Sequence, residues 1–120
     1  MNILIVESNA DLALLWAAPL RANGCHVAIA RGQREAVDHL RLHQTDVIVL
    51  DLTLDEGAAL AVSDFAQYRQ PQTRILAVTR DRFFSDGSIF EHIGNARALL
   101  PRSMSPGDIS AVVEHYAAAS

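Results

Sequence analysis

Residues 47–51 read Val-Ile-Val-Leu-Asp, and no other stretch narrows the possible folds as much. An unbroken apolar run rich in β-branched side chains offers no polar alternation for a solvent face, so a strand made from it has to be covered on both sides. That describes a central strand of a parallel sheet with helices above and below. Such a strand ends at the carboxyl edge of the sheet, where open α/β folds hold their ligands. Asp51 then stands at the floor of a crevice. A strand-terminal Asp also begins ordinary turns, so its meaning depends on what else reaches that edge.

The flanking chain supplies the rest of the sheet. Residues 2–6 (NILIV) form a short apolar strand closed by Glu7-Ser8-Asn9, with Ser8 or Asn9 suited to cap the next helix. That helix carries Leu12, Leu15, Trp16 and Leu20 at helical spacing and stops at Asn23-Gly24, with Pro19 expected to kink it or loosen its last turn. CHVAIA (25–30) is a second strand, with His26 facing solvent. Gln33 to His43 form a helix with Ala36, Val37 and Leu40 inward. After the strand at 47–51 and a loop holding Asp55-Glu56-Gly57, a helix at 58–69 carries Leu60, Ala61 and Phe65. RILAVT (74–79) is the fourth strand. A short helix is expected at 85–93, and ARALL (96–100) is the fifth strand. Ser105-Pro106 starts the last helix, whose inward face is Ile109, Val112, Val113 and Tyr116. Five strands alternating with helices predict an α/β fold. It is the flavodoxin-like (βα)5 doubly wound parallel sheet, strand order 2-1-3-4-5, with its switch point between the first and third strands.

Composition bounds the rest. A chain of 120 residues reads as a single domain, 1–120, with no room for an output domain. All ten cationic residues are arginine and the formal charge is −4. No basic stripe argues for nucleic-acid binding, and no apolar run is long enough to span a membrane. One cysteine, Cys25, and the absence of a signal peptide at the start fit a cytoplasmic protein. His39 and His43, one helical turn apart, read as a solvated face.

The topology brings Glu7 and Ser8, Asp51, and Thr79 to one edge. Two carboxylates in one crevice repel unless they share a cation or a proton, so Mg²⁺ is the expected resident. A carboxylate beside a cation and a hydroxyl is also a plausible acceptor for a phosphoryl group.

In order and spacing, LIVES (4–8), VIVLDL (47–52) and ILAVT (75–79) resemble the receiver domain of bacterial two-component response regulators, from Ile3 to Tyr116. The resemblance implies that Asp51 is the phospho-acceptor and Thr79 the hydroxyl that senses the phosphoryl group. It makes Glu7 and Asp51 metal-site acids, joined by the Thr53 backbone carbonyl. It further implies a histidine kinase or phosphotransfer protein as donor. Output would run through a protein partner on the face made by the helix after the fourth strand, the fifth strand and the last helix, in a monomer or weak homodimer. No enzyme activity is implied beyond self-catalysed phosphoryl transfer and autodephosphorylation. The departures are specific. Ser8 stands where the family has a second acid and can ligate metal only weakly or through water. Arg102 is the nearest substitute for a lysine the chain lacks. Ala98 or Leu99 occupies the aromatic switch position, and the loop after Asp51 is short. These departures keep open a phosphorylation-independent pseudo-receiver acting as an interaction module. A flavin or nucleotide enzyme of the same architecture is disfavoured, because Glu7-Ser8-Asn9-Ala10 offers no glycine cradle for phosphate.

Overall fold

The computed structural model describes residues 1–80 and 93–118. Its elements are β1 (Asn2–Val6), α1 (Ala10–Ala22), β2 (His26–Ala30), α2 (Gln33–Leu42), β3 (Val47–Asp51), α3 (Ala59–Arg69), β4 (Arg74–Thr79), β5 (Ala96–Pro101) and α4 (Pro106–Ala118). All pairings are parallel and the sheet order is β2-β1-β3-β4-β5, the expected flavodoxin-like arrangement. The helix expected at 85–93 falls almost wholly outside the described residues, as do Asp81 and Phe83-Phe84.

Period-two alternation sorts the strand side chains into two cores. Leu4, Val6, Ile48, Leu50 and Ile75 face Ala36 and Leu40 of α2 and Val62 and Ala66 of α3. Ile3, Ile5, Val47, Val49, Leu76 and Val78 face Trp16 and Leu20 of α1 and Ile109 and Val113 of α4. Every residue of β3 is buried, as a strand covered on both faces must be.

On two helices the buried face leaves a large apolar residue outside. On α1 the buried stripe is Ala13, Trp16, Ala17 and Leu20, whereas Leu15 is 57% exposed. On α3 the buried residues are Ala59, Val62, Ser63 and Ala66, and Leu60 points outward. In both cases small residues lie against the sheet because they let the helix approach closely. Helix α1 also continues through Pro19 to Ala22, and the Leu15 carbonyl that loses its partner lies on the exposed face.

Neither α2 nor α3 caps its own start: Gly32 and Ala58 make no side-chain cap bond. The caps are supplied across the chain instead. Glu56 Oε2 accepts from the Arg34 N–H (3.1 Å) and Gln33 Oε1 accepts from the Ala58 N–H (2.9 Å). The Gln33 N–H donates to the Glu56 carbonyl at 3.1 Å between them. Each loop satisfies donors that the other helix leaves open. The turn that allows this is made at Gly57, whose φ of 79° suits glycine and whose missing Cβ would collide with the Gln33 side chain.

Candidate functional site

Strand register builds the site. Strands β1 and β3 pair in step from Ile3↔Val47 to Val6↔Leu50. One further step places Glu7 beside Asp51, on strands spaced about 4.8 Å apart. Alternation turns both side chains toward the α1/α4 side of the sheet edge, and both residues are fully buried. On the other flank, Asp51 pairs with Val78 and Thr79 pairs with Pro101. Arg102 therefore leaves β5 at the same edge, its N–H donating to the Thr79 carbonyl at 2.9 Å.

Three of the four carboxylate oxygens are occupied. Glu7 Oε2 accepts from the Asn9 N–H (2.9 Å), and Glu7 Oε1 accepts from Arg102 Nε (3.3 Å). Asp51 Oδ1 accepts from the Thr53 N–H (2.9 Å). Asp51 Oδ2 accepts no hydrogen bond, although Arg102 Nε lies 3.5 Å away as an ion-pair neighbour. The arginine thus spans both acids, while its own side chain stays 23% exposed.

The electrostatics follow from two buried carboxylates served by one guanidinium. Burial pushes the Asp51 carboxyl up to about 7. A hydrogen bond to Glu7 and the charge of Glu7 add to that rise, against the Thr53 N–H and Arg102. Burial acts the same way on Glu7, but hydrogen bonds from Asp51, the Asn9 N–H and Arg102 outweigh it and hold Glu7 below its ordinary value. The pair therefore shares one proton near neutrality, with Asp51 its carrier. Asp51 Oδ2, the oxygen without a donor, is the atom free to hold it.

Ser8 occupies the second acid's position, yet its hydroxyl is committed elsewhere. It donates to the Arg31 carbonyl (3.0 Å) and accepts from the Asp55 N–H (2.9 Å), joining three loops at the crevice rim. Thr79 is buried at the end of β4. Thr53 contributes its N–H to Asp51, a role not read from the sequence, where only its carbonyl was considered. Nor did sequence reasoning find the Asn9 N–H on Glu7. Both follow from chain direction at a strand end, where the residue two positions on turns its N–H back toward the carboxylate.

Among the described residues, no group of three or more His, Cys, Asp or Glu could hold a metal ion. With Arg102 paired to both acids and Ser8 turned away, the donors present do not fit Mg²⁺. The place between the acids where a cation would sit is held by the guanidinium, 3.3 Å from Glu7 Oε1 and 3.5 Å from Asp51 Oδ2. His39 and His43, whose ring centroids lie 4.7 Å apart, sit at the opposite end of the sheet on a cavity of about 470 Å³.

The fold has close structural counterparts. The chain is similar to a CheY-like response regulator receiver domain protein from Methanospirillum hungatei (TM-score 0.86, 19% identity, covering 97% of this chain and 92% of that one). It is similar to the non-phosphorylated HemR receiver domain from Leptospira biflexa (TM-score 0.87, 20% identity, 99% and 95%). A third counterpart is a response regulator protein from Burkholderia pseudomallei, solved with a phosphorylated aspartic acid, a calcium ion and citrate (TM-score 0.81, 24% identity, 97% and 68%). No curated protein sequence matches the chain. Residues 3–104 match the family model described as the response regulator receiver domain, so the chain belongs to the receiver domains of two-component response regulators.

Proposed function

We propose that this receiver domain accepts a phosphoryl group on Asp51 from a histidine kinase or phosphotransfer protein and signals through protein contacts. The observation that carries the reading is Asp51 Oδ2, a buried carboxylate oxygen at the carboxyl edge that accepts no hydrogen bond and has a guanidinium beside it. Once Asp51 has lost its proton, Oδ2 attacks the phosphorus of a phosphohistidine in line. The new P–O bond forms as the P–N bond breaks, and the bonding pair stays on the ring nitrogen of the donor, which leaves as neutral imidazole because its other nitrogen already carries a proton. Arg102 offsets charge on the phosphoryl oxygens, and a positioned cation is the main catalytic aid such a transfer needs. An acyl phosphate carrying about 1.5 to 2 negative charges replaces a carboxylate carrying one, so the strand edge becomes more negative by up to about one charge. The Arg102–Thr79 backbone bond links that edge to β5, and Tyr116 on α4 donates to the Arg97 carbonyl of β5 (3.3 Å). This makes the β5–α4 surface the readout face for a partner. The phosphorylated aspartate of the Burkholderia counterpart supports the reading by likeness of fold.

The test is intact-protein mass spectrometry after treatment with a small phosphodonor such as phosphoramidate. One phosphoryl addition is expected on the wild type and none on Asp51→Asn. Only ionised Asp51 is nucleophilic, so the initial rate should climb as pH passes through about 7. A folded wild type that stays unlabelled from acid to alkaline pH would end the proposal.

Arg102 pairing with both acids favours a second reading, a phosphorylation-independent interaction module held in one charge-balanced state. Partner binding that survives Asp51→Asn unchanged, in cells and in vitro, would select it.

A further inference from the structure

We infer that Arg102 is the resident cation of this crevice, standing in place of a divalent ion, so that acceptance of a phosphoryl group by Asp51 needs no metal and Mg²⁺ competes with the guanidinium. The inference rests on the reading of Asp51 as acceptor. It is carried by the single guanidinium that pairs with both acids, Arg102 Nε lying 3.3 Å from Glu7 Oε1 and 3.5 Å from Asp51 Oδ2. Glu7 Oε1 and Oε2 are taken by Arg102 Nε and the Asn9 N–H, and Asp51 Oδ1 by the Thr53 N–H. The Ser8 hydroxyl is spent on the Arg31 carbonyl and the Asp55 N–H. A divalent ion entering between the two acids would have to displace Arg102 Nε, which lies 3.3 Å from Glu7 Oε1 and 3.5 Å from Asp51 Oδ2.

Arg102 is also anchored at its backbone beside the site. Its backbone N–H is bonded to the Thr79 carbonyl at 2.9 Å, and Thr79 itself pairs with Pro101. A guanidinium has five N–H donors in a planar fork. With Nε against the acids, the terminal nitrogens remain to meet phosphoryl oxygens, a geometry that arginine matches better than lysine. One side chain then combines two duties: neutralising the acid pair at rest and binding the phosphoryl group on arrival.

Two measurements test this together. In the first, Mg²⁺ is titrated to about 10 mM against ¹⁵N-labelled wild type, Arg102→Met and Arg102→Lys, each checked for folding by thermal melt. Amide shifts at Glu7, Asp51 and Thr53 are followed. Wild type should show no saturable shift, Arg102→Met should bind at least about tenfold more tightly because the competing charge is gone, and Arg102→Lys should fall between. Saturable wild-type binding that Arg102→Met leaves unchanged would overturn the inference. The second measurement is labelling by phosphoramidate in EDTA and in Mg²⁺. Equal labelling of wild type in both supports the inference. Labelling only with Mg²⁺ overturns it while leaving Asp51 as the acceptor. No labelling in either, by a folded protein, removes the acceptor reading and the inference with it.

Discussion

At the scale of single residues, Asp51 trades stability for reactivity in a way pH reveals. Its carboxyl binds a proton more tightly in the folded chain than in the unfolded one. The resulting stabilisation is whole below the unfolded value near 3.8 and is lost as pH rises through the folded value of about 7. Glu7 acts in the opposite sense and at lower pH, since its depressed carboxyl loses its contribution only as the solution becomes acidic. Urea unfolding of wild type should therefore weaken from pH 5 to pH 8. Asp51→Asn, whose amide can donate to Glu7 and accept from Thr53 without titrating, should flatten that slope. At pH 8 it should exceed wild type by on the order of 2 kcal/mol. An equal pH dependence in the two proteins would mean that Asp51 and Glu7 do not share a proton. Asp51 and Glu7 were legible in the sequence because each closes an apolar strand and parallel register sets them side by side. The commitments of Ser8 were not, because its partners Arg31 and Asp55 lie 23 and 47 residues away.

At the scale of elements, the strands were easier to read than the helix faces. A fully buried strand such as VIVLD announces itself by composition, whereas a helix chooses its buried side by shape as well as by hydrophobicity. Ala13 and Ala17 on α1, and Ala59 and Ala66 on α3, are buried against the sheet while the larger Leu15 and Leu60 are left outside. Ranking by apolar character alone picks the leucines and misses the alanines. The two classes should respond oppositely to mutation. Leu15→Ala should change stability by no more than about 0.5 kcal/mol, whereas Ala17→Leu, which overfills the α1 interface, should cost about 1–3 kcal/mol. Chemical denaturation of the two variants checks the pair, and a costly Leu15→Ala would show that α1 is rotated from the face described. The crossed caps are a second element-scale feature. Glu56→Ala and Gln33→Ala should each cost about 1 kcal/mol. Because the two side chains bind within one junction, the double variant should cost measurably less than the sum, as a double-mutant cycle would record.

At the scale of the whole molecule, the sheet order was legible because alternating elements allow few topologies, and the switch point then dictates which loops meet. How those loops hold one another was not, because that depends on contacts far apart in sequence. The sheet divides the interior into two cores that share backbone but few side-chain contacts, so truncations on opposite faces should add. Leu50→Ala and Val49→Ala point to different sides. Leu50→Ala alone should cost about 2–5 kcal/mol, and the pair should sum to within about 0.5 kcal/mol if the faces are independent. The crossed caps carry a consequence at this scale for how the molecule breathes. The loop after β2 and the loop after β3 hold each other's helix starts, and Ser8 ties both to the loop after β1. No one of them can lift away without freeing donors on another. The amides of Arg34, Asp55 and Ala58 should therefore exchange with solvent deuterium at one common opening rate. Glu56→Ala should speed all three together, which would make the rim of the crevice a single cooperative shutter rather than three independent flaps.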